Sequence, residues 1–584
     1  MFNDRQPYFC RMLKTFILSI ALLITLNGFA QVTPFETSGG TETATYQQAI
    51  AYFKSLDQKN QNISIREIGT TDAGYPLHLV LYSADGNFDP AQWHKNKKVV
   101  IMVNNGIHPG EPDGIDASMM LLRDIVTGKI KLPSRVCLGI IPVYNIGGSL
   151  NRGPFSRVNQ NGPVEYGFRG NAQNLDLNRD FTKLDSRNAA AFNQAFQFLD
   201  PNILIDNHVS DGADFQHTMT LLTSQYDKLG GPIGQYLRNK FEPGIYADMK
   251  TRGWDLFPYV NFNAYDLNRG MTQFYDPPRY SSGYAALFQC IGFVPETHML
   301  KPYKERVKST YDLMVSISKL AHEHADSLIA ARNETRKQIA AQNTFPLSWR
   351  PDTARHNTLT FKGYGRDTMI SEVTGLPRMY YRHDKPFESP VKFYCYFKGE
   401  QEVEKPKAYI IPQGWHRAHE KLTLNKIPMK RLAKDTLMEV EAYRIESYKA
   451  ATQPYENHFR HSNVKVTKAK EKIRFLKGDY LVEMGNYTDR FVVEMLEPTG
   501  ADSYFTWNFF DAILQQKEGY SNYRWEEVAA EWLKQNPELK KQLDAQKAAE
   551  PEFAKNAGQI LNWVYRNSPY FEPSFMRYPV YRIF

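Results

Sequence analysis

The sequence predicts an α/β fold, a mixed and largely parallel sheet with helices on both faces, followed by a β-rich C-terminal domain with terminal helices. Three observations carry this. Strand-like and helix-like segments alternate from about residue 45 to 330, the pattern of a sheet flanked by helices. Apolar runs inside that stretch, such as residues 99–103 (VVIMV) and 202–205 (NILI), read as buried strands. Beyond Pro346 the character changes, and residues 392–397, 408–411 and 438–443 alternate as strands do. At 584 residues, with 42% hydrophobic and 23% charged, the chain is too long for one ordinary core, and two to four domains are expected.

In chain order, residues 1–30 come first. After Arg11 and Lys14 an apolar run from Phe16 to Leu26 leads to Asn27-Gly28-Phe29-Ala30, the layout of a secretory signal cleaved after Ala30, with Met12 a second candidate start. The run is short for a membrane span, and no Cys follows it to take a lipid. An exported protein, periplasmic or extracellular and without a stable membrane span, is therefore expected. Removing residues 1–30 takes away three basic residues and one acidic residue, which lowers the formal charge from +8 to +6. That is mild for this size. No basic block interleaved with aromatics occurs, so no nucleic-acid partner is expected.

The strand at 99–103 delivers His108-Pro109-Gly110-Glu111, and a helix follows in which Ile115, Met119, Leu122 and Val126 recur at helical spacing. Pro109 and Gly110 resist regular structure, so the chain can turn there and aim an imidazole nitrogen and a carboxylate oxygen at one point. The strand at 202–205 ends in Asp206-Asn207-His208, which places a second imidazole beyond a strand end, where open α/β sheets bind ligands. Two His and one Glu leave a fourth tetrahedral position for water, the catalytic rather than the structural zinc pattern. Residues 168–181 (FRGNAQNLDLNRDF) add two Arg whose guanidinium forks suit carboxylates and oxyanions. A further strand at 290–294 delivers Pro295-Glu296-Thr297-His298. His217 and His298 read as packing groups, because three protein ligands suffice. No HExxH, GxSxG or P-loop is present.

The order HPGE, RGNAQNLDLNRDF, DNH and ETH resembles the zinc metallocarboxypeptidase family of carboxypeptidases A and T, including its peptidoglycan-cleaving bacterial branch. Residues 68–77 (IGTTDAGYPL) resemble the start of the same catalytic unit, and the likeness covers roughly residues 40 to 330. It implies that His108, Glu111 and His208 bind one Zn²⁺, that Glu296 is the general base, and that Asn178 and Arg179 grip a terminal carboxylate. It also implies an oxyanion arginine, assigned to Arg169 by its spacing from Asp176, with Arg152 and Arg157 as the other candidates. A substrate-capping tyrosine is assigned to Tyr280, with Tyr275 and Tyr284 in the same window. The expected activity is that of a zinc carboxypeptidase acting on peptides with a free C-terminal carboxylate. The alternatives are a peptidoglycan stem-peptide amidase, an amino-acid deacylase, or a non-catalytic binding protein that retains the fold.

The expected domains are a signal peptide at 1–30, the carboxypeptidase-like domain at 35–343, a β-rich accessory domain at 346–500 and a helical region at 501–584. The last helix of the catalytic domain is expected from Tyr303 to about Gln342. Only some dozen residues separate the signal from the first helical segment, too few for a folded prodomain, so the enzyme is expected to be made active. Residues 507–514 and 525–533 read as amphipathic helices, and 540–547 as a solvated helical face. Cys137, Cys290 and Cys395 lack a regular spacing and read as buried thiols.

Overall fold

A computed structural model describes residues 31–261 and 266–584. The expected signal peptide lies outside the described residues. The chain forms two compact units: the first runs to residue 403 and takes in 424–426 and 486–491, and the second comprises 404–423, 427–485 and 492–584.

The first unit is built on a nine-stranded sheet. Its strands are β1 (Ile63–Thr70), β2 (Pro76–Tyr82), β3 (Val99–Asn104), β4 (Val136–Ile141), β5 (Ile203–Asp206), β6 (His208–Ser210), β7 (Met219–Thr223) and β8 (Phe257–Pro258). Two short strands of another sheet, β9 (Val260–Asn261) and β10 (Met271–Gln273), then precede β11 (Ile291–His298), which returns to the first sheet. The order across it is β1-β2-β4-β3-β5-β11-β7-β8, with β6 continuing the line of β5 against β11. β4, β3, β5 and β11 pair in parallel, and antiparallel strands close both sides, so the sheet is mixed with a parallel centre. Every residue of β3, β4 and β5 is buried, which is why these strands are apolar up to Asn104 and Asp206, the last residues of β3 and β5.

Helices cover both faces. On one, Val99, Ile101 and Val103 pack into a core with Ile115 and Leu122 of helix Asp113–Val126 and with Leu313 and Ile317 of helix Tyr303–Glu323. On the other, helix Arg187–Leu199 comes so close to β4 that a Cβ at Gly139 would stand 2.5 Å from Leu199 Cδ1. Any side chain at 139 would have to displace the buried Leu199.

The single helix expected from 303 to 342 is two, Tyr303–Glu323 and Ala325–Ala341, because His324 leaves helical geometry at φ −107°, ψ 13°. After them come β12 (Thr344–Pro351) and the long strands β13 (Asn357–Ile370) and β14 (Pro377–Tyr394), which pair antiparallel as a hairpin. The hairpin belongs to the first unit: β14 pairs with β10, and Phe215 bridges Gly363.

β15 (Phe397–Glu404) pairs with β12. The second unit contains β16 (Ala408–Ile411), β17 (Lys430–Arg431), β18 (Thr436–Ala450), β19 (His461–Phe475), β20 (Tyr480–Glu483) and β21 (Tyr581–Ile583). They form one sheet in the order β17-β20-β16-β21-β18-β19. The last strand of the chain thus fills an interior place. Helices Asn522–Gln535, Pro537–Ala549 and Ala557–Arg566 pack around Trp525, Leu543, Leu561 and Tyr565. Residues 507–514 are not the expected helix. They are turns that end in a 3₁₀ segment at Asp511–Leu514, since Asn508 takes the left-handed φ of 63°. All three described cysteines are free and buried. Among the described residues no helix is long and apolar enough to cross a membrane.

Candidate metal centre and substrate cavity

The site forms where β3, β5 and β11 end. Leaving β3, the chain makes a turn in which Glu111 N–H donates to His108 O at 2.8 Å, and helix Asp113–Val126 begins directly after it. Gly110 sits against the Arg157 side chain, and a Cβ there would lie 2.7 Å from Arg157 Cδ. His208 opens β6 and stands opposite Glu296 in the parallel pairing with β11.

The three expected ligands converge and are buried, each offering a donor atom within 4.8 Å of the others. Glu111 sits between the rings, with Oε1 3.2 Å from His108 Nδ1 and Oε2 3.0 Å from His208 Nδ1. The far nitrogens face other carboxylates: His108 Nε2 is 2.9 Å from Asp176 Oδ1, and His208 Nε2 is 3.1 Å from Asp206 Oδ2. A carboxylate at Nε2 favours the proton there and leaves the Nδ1 lone pairs directed at the Glu111 carboxylate. That arrangement calls for a cation. Among the described residues, buried His108 Nδ1 has no partner in hydrogen-bond geometry, although Glu111 Oε1 stands 3.2 Å away, so the donor set fits a metal ion such as zinc.

Electrostatics agree with the geometry. Burial disfavours the Glu111 anion, but His108 and Arg157 outweigh it and hold the carboxyl well below its ordinary range. Asp176 behaves likewise, its burial overcome by His108, Arg169 and Arg179. Burial also opposes the His208 cation, yet Asp206 and Glu111 raise its pKa well above normal. Glu296 moves the other way. Burial pushes it up to about 8, with the carboxylates of Glu111 and Asp276 adding to the effect against His208 and Arg157.

A cavity of about 210 Å³ gathers the remaining candidates. His108, Glu111, His208, Glu296, Arg169, Asn178, Arg179 and Tyr280 all line it. Arg179 comes from a short 3₁₀ turn, Leu177–Arg179, capped by the Asp176 side chain, and its guanidinium lies over the Tyr280 ring at 4.3 Å. Arg157 also lines the cavity, but Nε and both Nη already donate to Gln160 Oε1, Glu111 Oε1 and Val209 O, and its side chain is 14% exposed. Arg169 is 45% exposed, bonded to Asp176 through Nε and Nη2, with Nη1 3.6 Å from Glu111.

Other candidates lie elsewhere. Arg152 bonds to Thr43 O and Glu165, Tyr275 stacks on Phe397 at 5.7 Å, and Tyr284 is buried with its hydroxyl against Asn193 and Asn425. His217 stacks on Phe257, and His298 bonds to Ala213 O. Sequence reasoning missed Tyr259 and Asp276, which line the cavity, and the pairing of Asp206 and Asp176 with the imidazoles. Asp206 had a usable signal, since residues two apart on an extended strand share a face. Tyr259 had none, because it lies in an irregular stretch between two-residue strands.

Comparison with known proteins gives three results. Residues 49–216 match the family model described as zinc carboxypeptidase. "Carboxypeptidase 2" of Trichophyton rubrum is 21% identical over 490 residues, covering 80% of this chain and 84% of the relative. A "Probable carboxypeptidase 2" of Trichophyton verrucosum (strain HKI 0517) is 21% identical over 469 residues, covering 76% and 83%. Among solved structures, a putative carboxypeptidase A from Shewanella denitrificans OS-217 aligns at 18% identity and a TM-score of 0.35, covering 48% of this chain and 69% of that one. Carboxypeptidase A from Helicoverpa armigera aligns at 15% identity and a TM-score of 0.36, covering 50% and 75%.

Proposed function

Since residues 49–216 match the family model described as zinc carboxypeptidase, we propose that this chain removes the C-terminal residue of peptides, with His108, Glu111 and His208 holding one zinc ion. The observation that carries this reading is the shared cavity: the three-ligand set and an arginine clamp, Arg179 beside Asn178, line the same 210 Å³ space. Zinc, when bound, supplies Lewis acidity toward water and the scissile carbonyl.

The protein's residues do the rest. Arg179 pairs with the substrate's terminal carboxylate, Asn178 adds a second polar contact, and the Tyr280 ring under the guanidinium holds it in place. A carboxylate fixed there brings the last peptide bond over the ligand set, so exopeptidase action follows from position. Glu296, held opposite His208 by the β11–β6 pairing, takes the proton of the attacking water and returns it to the departing amine. Arg169 meets the negative charge that develops on the carbonyl oxygen, since its Nη1 edge is less committed than the guanidinium of Arg157. Arg157 holds Glu111 in its orientation. The layout of residues 1–30 supports action outside the cytoplasm.

Digestion of a peptide library by the purified protein, read by mass spectrometry, tests this reading. Stepwise loss of C-terminal residues that stops with a zinc chelator and resumes on zinc return is expected. Internal cleavage, or release that ignores chelation, would overturn it.

A further inference from the structure

We propose that a second cavity, walled by the β13–β14 hairpin, binds an aromatic or long aliphatic side chain of the substrate upstream of the scissile bond. This rests on the carboxypeptidase reading above and adds a subsite to it. The cavity measures about 400 Å³, nearly twice the 210 Å³ of the metal cavity. Its wall is apolar. Phe215 and Phe257 contribute from the sheet side, and Phe361, Met379 and Tyr381 from the hairpin.

The hairpin wall is anchored to the sheet. Phe361 packs edge-on against Phe257 with ring centroids 5.5 Å apart. Gln216 N–H donates to Lys362 O at 3.0 Å, and Gln216 Nε2 donates to Gly363 O at 2.8 Å. Nearby, His383 Nε2 lies 2.5 Å from Asp214 Oδ2. The cavity is therefore a preformed hollow, the kind of site that takes a side chain without a large ordering cost.

Continuity with the metal cavity identifies the occupant. The two spaces share Ser210, Asp211 and Tyr259, while Asn178, Arg179 and Tyr280 line only the first. A peptide whose terminal carboxylate sits at Arg179, with its last bond over the ligand set, leaves by way of Ser210 and Asp211 with its upstream residues. A side chain there meets aromatic rings and the Met379 thioether, surfaces suited to apolar and aromatic groups. Met379 is 38% exposed and so has apolar surface left to cover. The hairpin lies beyond residue 216, where the family match ends, so this wall is supplied by a segment outside the matched part.

Acetylated pentapeptides test the inference. All share their last two residues, and a single Phe is scanned through the three preceding positions, with an all-glycine version as reference. In one arm, release of the C-terminal residue by the zinc-loaded protein is measured: at least one Phe position should raise kcat/KM about tenfold, in line with burial of one aromatic side chain. In the other, calorimetry on the zinc-loaded Glu296→Gln protein should show the same peptide binding about tenfold tighter than the reference. Met379→Glu should bring both ratios close to one, and Tyr381→Thr serves as a second variant, each checked for folding by its thermal midpoint. Release with no Phe preference in either arm overturns the subsite and leaves the carboxypeptidase reading standing. A hairpin-dependent Phe preference in binding without any release overturns that reading and leaves the subsite. A preference that survives in both folded variants also overturns the subsite.

Discussion

Glu296 and His208 face each other as register partners in the parallel pairing of β11 with β6. Backbone pairing therefore sets the distance between the general-base candidate and one of the ligand candidates, and both residues take their positions from strands. A one-residue slip of β11 would turn Glu296 to the opposite face of the sheet.

Glu296→Gln keeps the shape of the side chain and removes its proton affinity. We expect kcat to fall about 10²- to 10⁴-fold, the range for loss of a general base. Metal content by elemental analysis should equal that of the parent, because Glu296 is outside the ligand set. Near-parental kcat would eliminate the role.

The Asp206 carboxylate fixes the His208 ring through Nε2 at 3.1 Å. Asp206→Asn should weaken zinc affinity about 10- to 100-fold in competition with a chromogenic chelator, as for other carboxylates behind a metal-ligating His. Unchanged affinity would show that β6 alone orients the ring.

Arg169 and Arg157 should separate by readout. Arg169→Ala is expected to lower kcat about 10²- to 10³-fold with metal retained. Arg157→Ala strips Glu111 Oε1 of its 2.8 Å partner and should show first as reduced metal affinity. The reverse pattern would exchange the two assignments.

Arg179→Ala should lower kcat/KM about 10- to 100-fold for peptides with a free carboxylate, as expected for loss of a charged hydrogen bond. Activity on the same peptides as C-terminal amides should change little, so the ratio of acid to amide substrate collapses. Retention of that ratio would place carboxylate recognition elsewhere.

Glu242 provides a pH test independent of catalysis. It is buried behind β7, accepts a bond from Tyr226 Oη at 2.5 Å, and burial pushes its pKa from 4.5 up to about 7. Below pH 4.5 both folded and unfolded chains hold the proton. Between 4.5 and 7 only the folded chain does, so stability falls across that interval, by about 3 kcal/mol in all, and levels off above it. Glu242→Gln should flatten this part of the profile, and its thermal midpoint should exceed the parent's most at pH 8. Parallel profiles for the two proteins would show that Glu242 does not titrate there.

Part of this was legible along the chain because the signals are local. HPGE carries its own turn, and the runs before 108, 208 and 296 are apolar because both faces of those strands are covered. The helix expected at 507–514 failed for an equally local reason that spacing hides: its buried aromatic residues serve a turn through Asn508, whose left-handed backbone breaks the helix. The alternation of 392–397 marked extended chain, which the structure divides at Cys395 and Tyr396 between β14 and β15, but could not name the partners, since any sheet offers the same ladder. Pairing with β10 and the Phe215 bridge gave the hairpin to the first unit.

By itself, then, the sequence determined the candidate ligand types, the strand ends that present them and the α/β class, because side-chain chemistry and hydrophobic period are properties of short segments. Tertiary structure decided that Arg157 is the arginine hydrogen-bonded to Glu111 while Arg169 stands farther off and more exposed, which tyrosine lies under Arg179, and that Asp176, 68 residues from His108, holds its ring. Those are contacts between segments distant along the chain, and strand pairing and packing in three dimensions fix them.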